Sequence, residues 1–538
     1  MAKKLSFFTA LLAVVLLIAQ SCAKHYFRST YQDANALLHH TKNLQTKPFL
    51  KAHLRNGDIC ILKDTWGIDT TLNTLQGHGT KYDFNRNVLQ EGALSLPMDS
   101  VSIFETNTKL QTSEKERIAA LAILTGVDIA VGILCLANPK ACFGSCPTFY
   151  LKEEDSFHYA DAEGFSNAIS PSLEYFDIDA LNNPAVSGDT FSLYMRNEAL
   201  ETHCLQEVKL LAYPRKEGER VYQSPTNDFY LCYNKYALSL GTGPEGNITS
   251  LLQQEDRQER FSLADEANLS TKETLSLTFD GVQNPENLGL ILHFRQTLMT
   301  TYFIYSAMGY MGDEVGDIFA KLETGSDTKE KLKGGIKKEL GDVEVYLWEE
   351  QKKVWVLQSG LNETGPIAIN RQFVPLQNRS RSPTIKMKIV LNKGLWRLDY
   401  AALTNIKEQV QPVVLSPTGI LKDGKPDAAA LRTLNHSTQH LISMPGNDFQ
   451  FNFTLPSPAT DYELFLFSKG YYLEWMRENW LQEKDLLKLK QMIDKPRKYL
   501  QGEAKNYKRY ESTMEKQFWE SKIDTKTFSA FEHQAPLP

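Results

Sequence analysis

Alternating apolar and polar residues dominate most of the chain and predict a protein built mainly from β-strands. The pattern is clearest at residues 191–195, 275–279, 343–347 and 386–391. A period of two places successive side chains on opposite faces of a sheet. Many short strands separated by turn residues are typical of antiparallel sheets packed as sandwiches. We therefore predict a mainly β fold with α+β elements.

Residues 47–110 show the same alternation on a smaller scale. Strand patterns lie on both sides of the Asn56-Gly57 pair, which favours a two-residue hairpin turn. Two further strand patterns follow before residue 110. Four short strands in such a short segment predict a small barrel or a curled sheet.

Helical spacing of apolar residues is visible in two segments, 301–322 and 471–538. In the second segment Tyr472, Trp475 and Trp480 recur on one side of the predicted helix, and Lys and Glu residues fill the other side. This pattern predicts a helical C-terminal tail whose aromatic side docks on the body of the protein or on a partner.

One apolar run, residues 118–137, has the length of a membrane span. Asp128 lies at its centre, where a carboxylate costs about 2.5–3.5 kcal/mol on the membrane-insertion scale. The aliphatic residues of the run only modestly exceed that cost. We therefore predict a buried helix or strand pair rather than a membrane span.

We predict several structural units, because 538 residues exceed what one hydrophobic core usually supports. A charged, Gly-rich stretch at 323–341 marks a boundary, and no exact internal repeat is visible. The predicted units are a signal peptide (1–21), a tether (22–46), a small β module (47–110), an apolar buried segment (111–140), a central domain (141–330), a β-sandwich-like domain (331–470) and the helical tail (471–538).

The charge of the chain argues against one class of partner. The net charge is −6, and no long run of Lys and Arg interrupts the mixed charge pattern. Proteins that bind nucleic acid normally carry a basic face or a basic stripe. We therefore expect no nucleic-acid partner.

The N-terminus resembles a bacterial lipoprotein signal. Lys3 and Lys4 precede an apolar segment, and the small residue Ser21 is followed by Cys22. This resemblance implies that Cys22 is lipid-modified and tethers the protein to a membrane. Ala23 follows where an Asp would be associated with inner-membrane retention, so the resemblance implies the outer membrane. The alternative is an ordinary secretory peptide, which would leave Cys22 as an unmodified thiol.

Six further cysteines remain if Cys22 is acylated. An even number of cysteines in an oxidising compartment allows a disulfide framework, and six cysteines allow fifteen pairings. The sequence alone does not choose among them. These cysteines are Cys60, Cys135, Cys142, Cys146, Cys204 and Cys232.

The motif Cys142-Phe-Gly-Ser-Cys146-Pro resembles the copper-handling thiols of Sco-type thioredoxin-fold proteins. Soft thiolates suit Cu(I), and His158 or His203 could complete such a site. In the Sco proteins, however, the motif opens a helix, whereas the residues after Pro147 have a strand pattern. The alternative role for the two cysteines is structural, as a disulfide or as a pair of buried thiols.

The same motif, continued through Thr148 and Phe149, also resembles the opening of an uncharacterised family of bacterial envelope domains that begin with C-F-G-[ST]-C-P-x-[FY]. Members of this family usually continue with a β-hairpin and an E-G-F or Y-E-G stretch, and Glu163-Gly164-Phe165 matches this order. The resemblance covers roughly residues 48–480. It implies no established activity, fold or ligand.

No catalytic motif is present. The chain lacks HExxH, GxSxG and Walker A sequences, and the GxGxxG match at 241–246 contains Pro244 and has no βαβ context, so it predicts a loop. We expect no metal or other cofactor. The sequence favours a membrane-anchored envelope lipoprotein that acts as a non-enzymatic binding or scaffold protein for a protein or glycan partner. The alternative is a thiol-dependent redox or copper-handling protein that uses Cys142, Cys146 and His158.

Overall fold

The fold is mainly β, with several antiparallel sheets and few helices, as the alternation predicts. The structure is a computed structural model. It describes residues 26–31, 50–54, 58–63, 65–69, 71–82, 88–109, 147–153, 156–165, 174–181, 186, 189–197, 201–311, 336–361, 368–378, 382–436, 439–443, 446–457, 461–474 and 484–514.

The N-terminal unit is a seven-stranded antiparallel sheet with the order β1-β7-β2-β3-β5-β4, and β6 also pairs with β5. One face is buried around Trp66 and Leu75, both of which are almost fully buried. The predicted β2–β3 hairpin is present, although its turn lies outside the described residues. The strands are β1 (Tyr26–Tyr31), β2 (Leu50–Leu54), β3 (Ile59–Leu62), β4 (Gly67–Asp69), β5 (Thr74–Tyr82), β6 (Val88–Pro97) and β7 (Val101–Lys109).

Two repeats follow, each of which contributes strands to two sandwiches. The first repeat contains β8 (Thr148–Glu153), β9 (Ser156–Tyr159), β10 (Tyr175–Ala180), β11 (Thr190–Arg196), β12 (Glu201–Arg215), β13 (Arg220–Gln223), β14 (Phe229–Ala237), β15 (Leu240–Gly243), β16 (Gly246–Asn247), α1 (Thr249–Leu252), β17 (Arg260–Phe261), β18 (Lys272–Phe279) and β19 (Leu288–Gln296). The second repeat contains β20 (Val343–Glu349), β21 (Val354–Leu361), β22 (Asn370–Pro375), β23 (Ile385–Asn392), β24 (Trp396–Val410), β25 (Val413–Leu415), β26 (Gly419–Lys422), β27 (Lys425–Pro426), α4 (Ala428–Leu434), β28 (Leu441–Ser443), β29 (Asp448–Thr454) and β30 (Asp461–Glu474).

Four sheets form the two sandwiches. The first outer sheet has the order β27-β26-β29-β11-β8-β9, and the second outer sheet has the order β16-β15-β18-β23-β20-β21. The first inner sheet has the order β10-β30-β12-β25, with β28 also on β12. The second inner sheet has the order β22-β19-β24-β14-β13, with β17 also on β24. The strand orders match element by element, so the second repeat duplicates the first, and β13 is an addition at one edge.

The two repeats exchange halves. The first sandwich combines β8–β12 of the first repeat with β25–β30 of the second repeat. The second sandwich combines β20–β24 of the second repeat with β14–β19 of the first repeat, and β13 joins its edge. A boundary near residue 330 therefore separates the repeats but not the sandwiches. The predicted segments 141–330 and 331–470 each contribute to both sandwiches.

Local geometry supports the equivalence of the repeats. The amide of Ile248 donates to the carbonyl of Gly241 at 2.9 Å, and the amide of Asp427 donates to the carbonyl of Ile420 at 2.8 Å, at the matching place in the other hairpin. The long strands β12 and β24 also carry a bulge at the same position. The bulged residue is Gln206 in β12, between Leu205 and Glu207, and Asp399 in β24.

The four sheets stack as four layers. Each outer sheet packs on its own inner sheet through a large apolar core. The two inner sheets pack on each other through a smaller cluster that includes Leu211 and Phe465 from one sheet and Phe229 from the other. Alternation along β30 explains this arrangement, because Leu464 and Leu466 face the first sandwich core while Phe465 faces the second inner sheet.

Helices cover the second sandwich. The helices outside the repeats are α2 (Met299–Met311) and α3 (Ile336–Leu340) between them, and α5 (Leu486–Asp494) and α6 (Pro496–Tyr510) after them. Leu489, Tyr499 and Tyr507 of the last two helices are buried in the core of the second sandwich, together with Phe303 of α2. Within the described residues, the helical tail therefore docks on the body of the protein.

The predicted start of the tail is wrong. Tyr471 and Tyr472 belong to β30, which pairs with β12 as far as Glu474, and Tyr472 is fully buried. The other aromatic residues proposed for this tail, Trp475 and Trp480, lie outside the described residues. The apolar run 118–137 also lies outside them. No helix among the described residues combines the length and the apolar character that a membrane crossing needs.

Candidate functional site

The structure describes only two of the residues that the sequence proposed for a thiol or metal site, His158 and His203. Cys22, Cys142 and Cys146 lie outside the described residues. His158 is on the edge strand β9, where its side chain is largely exposed and lies 3.9 Å from Glu153. His203 is buried in β12, and burial lowers its pKa to about 3. The described residues include no group of three His, Cys, Asp or Glu side chains that could hold a metal ion.

Three of the six cysteines that the sequence offers for a disulfide framework are free, so a framework that pairs all six is excluded. Cys60, Cys204 and Cys232 are buried thiols. Burial raises the pKa of Cys60 to about 11 and the pKa of Cys232 to about 12. These two thiols therefore remain protonated at neutral pH and are poor nucleophiles. Cys135, Cys142 and Cys146 lie outside the described residues.

The GxGxxG match forms a tight β-hairpin, which agrees with its prediction as a loop. Gly243 pairs with Gly246 across the turn between β15 and β16. Gly246 has a backbone φ of 104°, a conformation that residues other than glycine rarely adopt. The hairpin belongs to an antiparallel outer sheet, so it has no parallel strand and helix to bind a pyrophosphate.

Ionic clusters fill part of the interior. Glu463 of the first inner sheet accepts hydrogen bonds from Arg220 at 2.7 and 2.8 Å and lies 3.6 Å from both Arg215 and Arg371. Arg220 and Arg371 belong to the second inner sheet, so the cluster joins the two sandwiches. Glu463 and Arg371 are almost fully buried. A paired cluster of this kind, enclosed between sheets, fits a structural role.

A second buried cluster lies within the second sandwich. The Arg260 side chain is completely buried and binds Glu273 at 2.6 and 2.9 Å and Glu245 at 2.7 and 2.9 Å. Nearby, burial raises the pKa of the bulged residue Asp399 to about 6, and burial lowers the pKa of His293 to about 3. The side chains of Glu273, His293 and Asp399 are nearly inaccessible to solvent, whereas Glu245 is 42% exposed and marks the solvent-facing end of the cluster.

The outer face of the second outer sheet carries an aromatic cluster at its edge. We call this cluster the second aromatic face, and it consists of Tyr346, Trp348, Trp355, Leu357 and Lys388. Trp348 and Trp355 face each other across β20 and β21, with ring centroids 5.2 Å apart. The Lys388 ammonium lies 4.4 Å from the Tyr346 ring and 5.2 Å from the Trp355 ring. Leu357 is 54% exposed and Trp355 is 36% exposed, so the face is open to solvent.

The first outer sheet carries a related cluster at the matching edge. We call it the first aromatic face, and it consists of Tyr150, Phe157, Tyr194 and Arg196. The Arg196 guanidinium lies 4.0 Å from the centroid of the Phe157 ring and 5.2 Å from that of the Tyr150 ring. Tyr194 packs edge-on against Phe157 at 5.1 Å. Phe157 is 37% exposed.

Strand register shows that the two faces occupy equivalent positions. Tyr150 pairs with Tyr194 as Tyr346 pairs with Lys388. Phe157 lies opposite Lys152 in its hairpin, and Trp355 lies opposite Trp348. Each face therefore places aromatic side chains on the edge hairpin of an outermost layer and a cation on the adjacent strand, β11 or β23, within reach of cation–π contacts.

Sequence reasoning missed both faces, although one signal was present. In the segment 354–357, large apolar side chains occur at both even and odd positions, so they lie on both faces of the strand. The side chains on one face point toward the core. Those on the other face must be exposed unless a further layer covers them. The alternation pattern by itself predicts a strand here and does not identify the second apolar face.

A cavity of about 380 Å³ adjoins the second aromatic face. It lies where β20 ends and β23 begins. Trp348 and Lys386 form the side next to the aromatic face, and the remaining wall carries a carboxylate, an amide and two hydroxyl groups. The lining residues are Leu347, Trp348, Glu350, Asn378, Ser382, Thr384, Ile385 and Lys386.

No protein-family model and no curated protein matches this chain. The resemblance of the Cys142–Cys146 motif to envelope domains therefore stays a prediction.

Proposed function

We propose that the protein is a non-enzymatic binding protein of the cell envelope that holds a protein or glycan partner on its two aromatic faces. The observation that carries this proposal is the equivalent placement of one exposed aromatic residue, Phe157 or Trp355, on the edge hairpin of each outer sheet. Large aromatic side chains supply most of the binding energy in many interfaces, and a soluble monomer rarely exposes them in clusters without a use.

The interior of the described protein supports binding rather than catalysis. Catalytic sites usually combine a cleft with ionisable groups whose pKa values are shifted. Here the groups with large shifts, such as His203, His293 and Asp399, are buried among packed strands. The two aromatic faces, by contrast, lie on the outermost layers and expose Phe157, Trp355 and Leu357 to solvent. The thiol-dependent alternative rests on Cys142 and Cys146, which lie outside the described residues.

A crosslinking experiment tests the proposed faces. A photo-activatable phenylalanine analogue at Leu357 should capture a discrete adduct in cells that produce the protein, because this residue lies on the second aromatic face. The matched control is the same analogue at Val414 on β25, which is similarly exposed at 59% but belongs to an inner sheet. Adducts are detected by a mobility shift on denaturing gels. Equal labelling at both positions, or none at Leu357, would contradict the proposal.

Cys22 is proposed as the lipid attachment site that keeps the protein at the outer membrane. The support is the sequence pattern around Cys22, and the acyl chains would provide stable anchoring. Cells fed an alkyne-labelled palmitate should label the wild-type protein, whereas Cys22→Ser should lose the label. Cys60→Ser, a change at a buried thiol, should keep it. An unlabelled wild-type protein would instead indicate an ordinary secretory peptide.

A further inference from the structure

We infer that the second aromatic face and its neighbouring cavity bind a glycan chain built of neutral sugar units. This inference rests on the proposed binding function and specifies its ligand for one of the two faces. It is argued from the orientation of the rings, the chemistry of the cavity wall, the balance of charge and the partial cover on the edge strand.

The aromatic rings are held in place from their polar ends. The indole N–H of Trp348 donates to Glu350 at 2.5 Å, and the hydroxyl of Tyr346 donates to Glu344 at 2.5 Å. These bonds fix the Tyr346 and Trp348 rings before a ligand arrives, so these two side chains lose little entropy on binding. The face of an aromatic ring carries negative charge density and attracts the polarised C–H groups on one side of a sugar ring.

The cavity offers the complementary polar chemistry. Its wall combines the Glu350 carboxylate, the Asn378 amide, the Thr384 hydroxyl and the Lys386 ammonium. The Asn378 amide nitrogen donates to the carbonyl of Pro285 and the Thr384 hydroxyl donates to Asp280, so both offer a ligand mainly their oxygen lone pairs. A ligand that fits must present an apolar side to Trp348 and several hydroxyl groups to the opposite wall. A sugar unit has this composition. The volume of about 380 Å³ lies within the range of small-molecule sites and admits one or two sugar units.

This face carries equal numbers of positive and negative charges. Lys386 and Lys388 contribute two positive charges, and Glu344 and Glu350 contribute two negative charges. A site for an acidic polymer would be expected to carry an excess of cations. The balance therefore favours an uncharged glycan over an anionic one.

A peptide added as an extra strand fits this edge less well. Such a peptide would pair with the backbone along β21. The side chain of Gln358 accepts a hydrogen bond from the amide of Gln377 at 2.8 Å, so the chain after β22 lies against β21 at that point. An added strand would have to displace this segment in order to pair along the second half of β21. The exposed side chains of this strand, rather than its backbone, present the larger surface.

Affinity electrophoresis tests the inference with defined probes. Purified protein that begins at residue 23 is run in native gels containing laminarin, xylan, mannan or the anionic polymer alginate. We expect at least one neutral polysaccharide to retard the protein and alginate to have no effect. Trp355→Ala and Lys386→Ala should each weaken the retardation, with about a tenfold loss of affinity for Trp355→Ala.

Two control variants make the test specific. Leu487→Ala removes a large apolar side chain that is 74% exposed on α5, away from this face, and should leave retardation unchanged. Phe157→Ala changes only the first aromatic face and should also leave it unchanged. Thermal unfolding of every variant checks the fold. Because Trp355 and Lys386 are tested separately, the loss of one variant to misfolding still leaves a measurement.

Several outcomes would overturn the inference. These are unchanged mobility in every neutral polysaccharide, retardation by alginate alone, and retardation that survives both substitutions. The proposed function would fail separately, through the absence of an adduct at Leu357. An adduct that protease digests, combined with unchanged mobility, would keep the binding function and assign the face to a protein partner.

Discussion

Cutting the chain between its two repeats should leave one particle rather than two. If a specific protease site is inserted between Gly325 and Ser326 and then cleaved, we expect both fragments to elute together at the position of the intact protein. The reason is the exchange of halves, since β12 of one fragment pairs with β30 of the other and β19 pairs with β24. The measurement is size-exclusion chromatography followed by a denaturing gel.

The cleaved sample needs two comparisons. Protein without the inserted site, treated with the same protease, shows whether cleavage occurs elsewhere. The cleaved protein in strong denaturant should separate into its two fragments. If the fragments separate under native conditions, each repeat closes a sandwich of its own, and the strand pairings described above are wrong.

Removing the carboxylate of Glu463 should destabilise the protein by about 3 kcal/mol or more. Glu463→Ala leaves Arg220 and the nearly fully buried Arg371 without their counter-charge, and breaking a buried ion pair in this way typically costs 3–5 kcal/mol. Glu463→Gln keeps the size of the side chain and should lose a similar amount, because the charge is the critical property. Urea unfolding, followed by tryptophan fluorescence, gives the free energy of unfolding.

Asp461 provides the matched control for this experiment. It lies on the same strand, two residues from Glu463, and is 3.6 Å from Arg215, but its side chain is 70% exposed. Exposed ion pairs contribute little, so Asp461→Ala should change the free energy of unfolding by no more than about 0.5 kcal/mol. Similar losses for Asp461→Ala and Glu463→Ala would show that the buried cluster does not hold the sandwiches together.

The sequence predicts individual strands well in this protein. Segments such as 275–279 and 386–391 alternate clearly, and both lie within strands, β18 and β23, that pair with each other. Alternation predicts these strands because each outer sheet has one buried face. Every second residue of a strand must therefore be apolar, and the residues between can be polar. The same reasoning predicts the mainly β class, since it needs no knowledge of which strands are neighbours.

The alternation pattern does not predict which strands pair with each other. The pattern of β12 shows which side chains are buried but not that its partner, β30, lies more than two hundred residues later in the chain. The repeats have also diverged at equivalent positions, where Tyr194 matches Lys388 and Phe157 matches Trp355. Duplication is therefore visible in the strand order and hydrogen bonds, whereas the sequence contains no exact repeat.

The candidate site escaped prediction for a related reason. Motif searches look for residues close together in sequence, such as Cys142 and Cys146. The second aromatic face instead joins β20, β21 and β23, and Lys388 reaches Tyr346 only because those strands are neighbours. The C-terminal tail shows the opposite case, in which neighbouring residues suggest the wrong element. Tyr471 and Tyr472 fit the helical pattern of the tail, but in the structure they belong to strand β30.

The exchange of halves also sets an order of completion during synthesis. The second sandwich possesses all of its strands once Val410 has been made, but the first must wait for β30, which ends at Glu474. Until then β12, a fifteen-residue strand from early in the chain, lacks its main neighbour. Contacts this distant in sequence slow folding and leave apolar strands uncovered in the nascent chain. The last-made strand thus closes the first-begun sandwich.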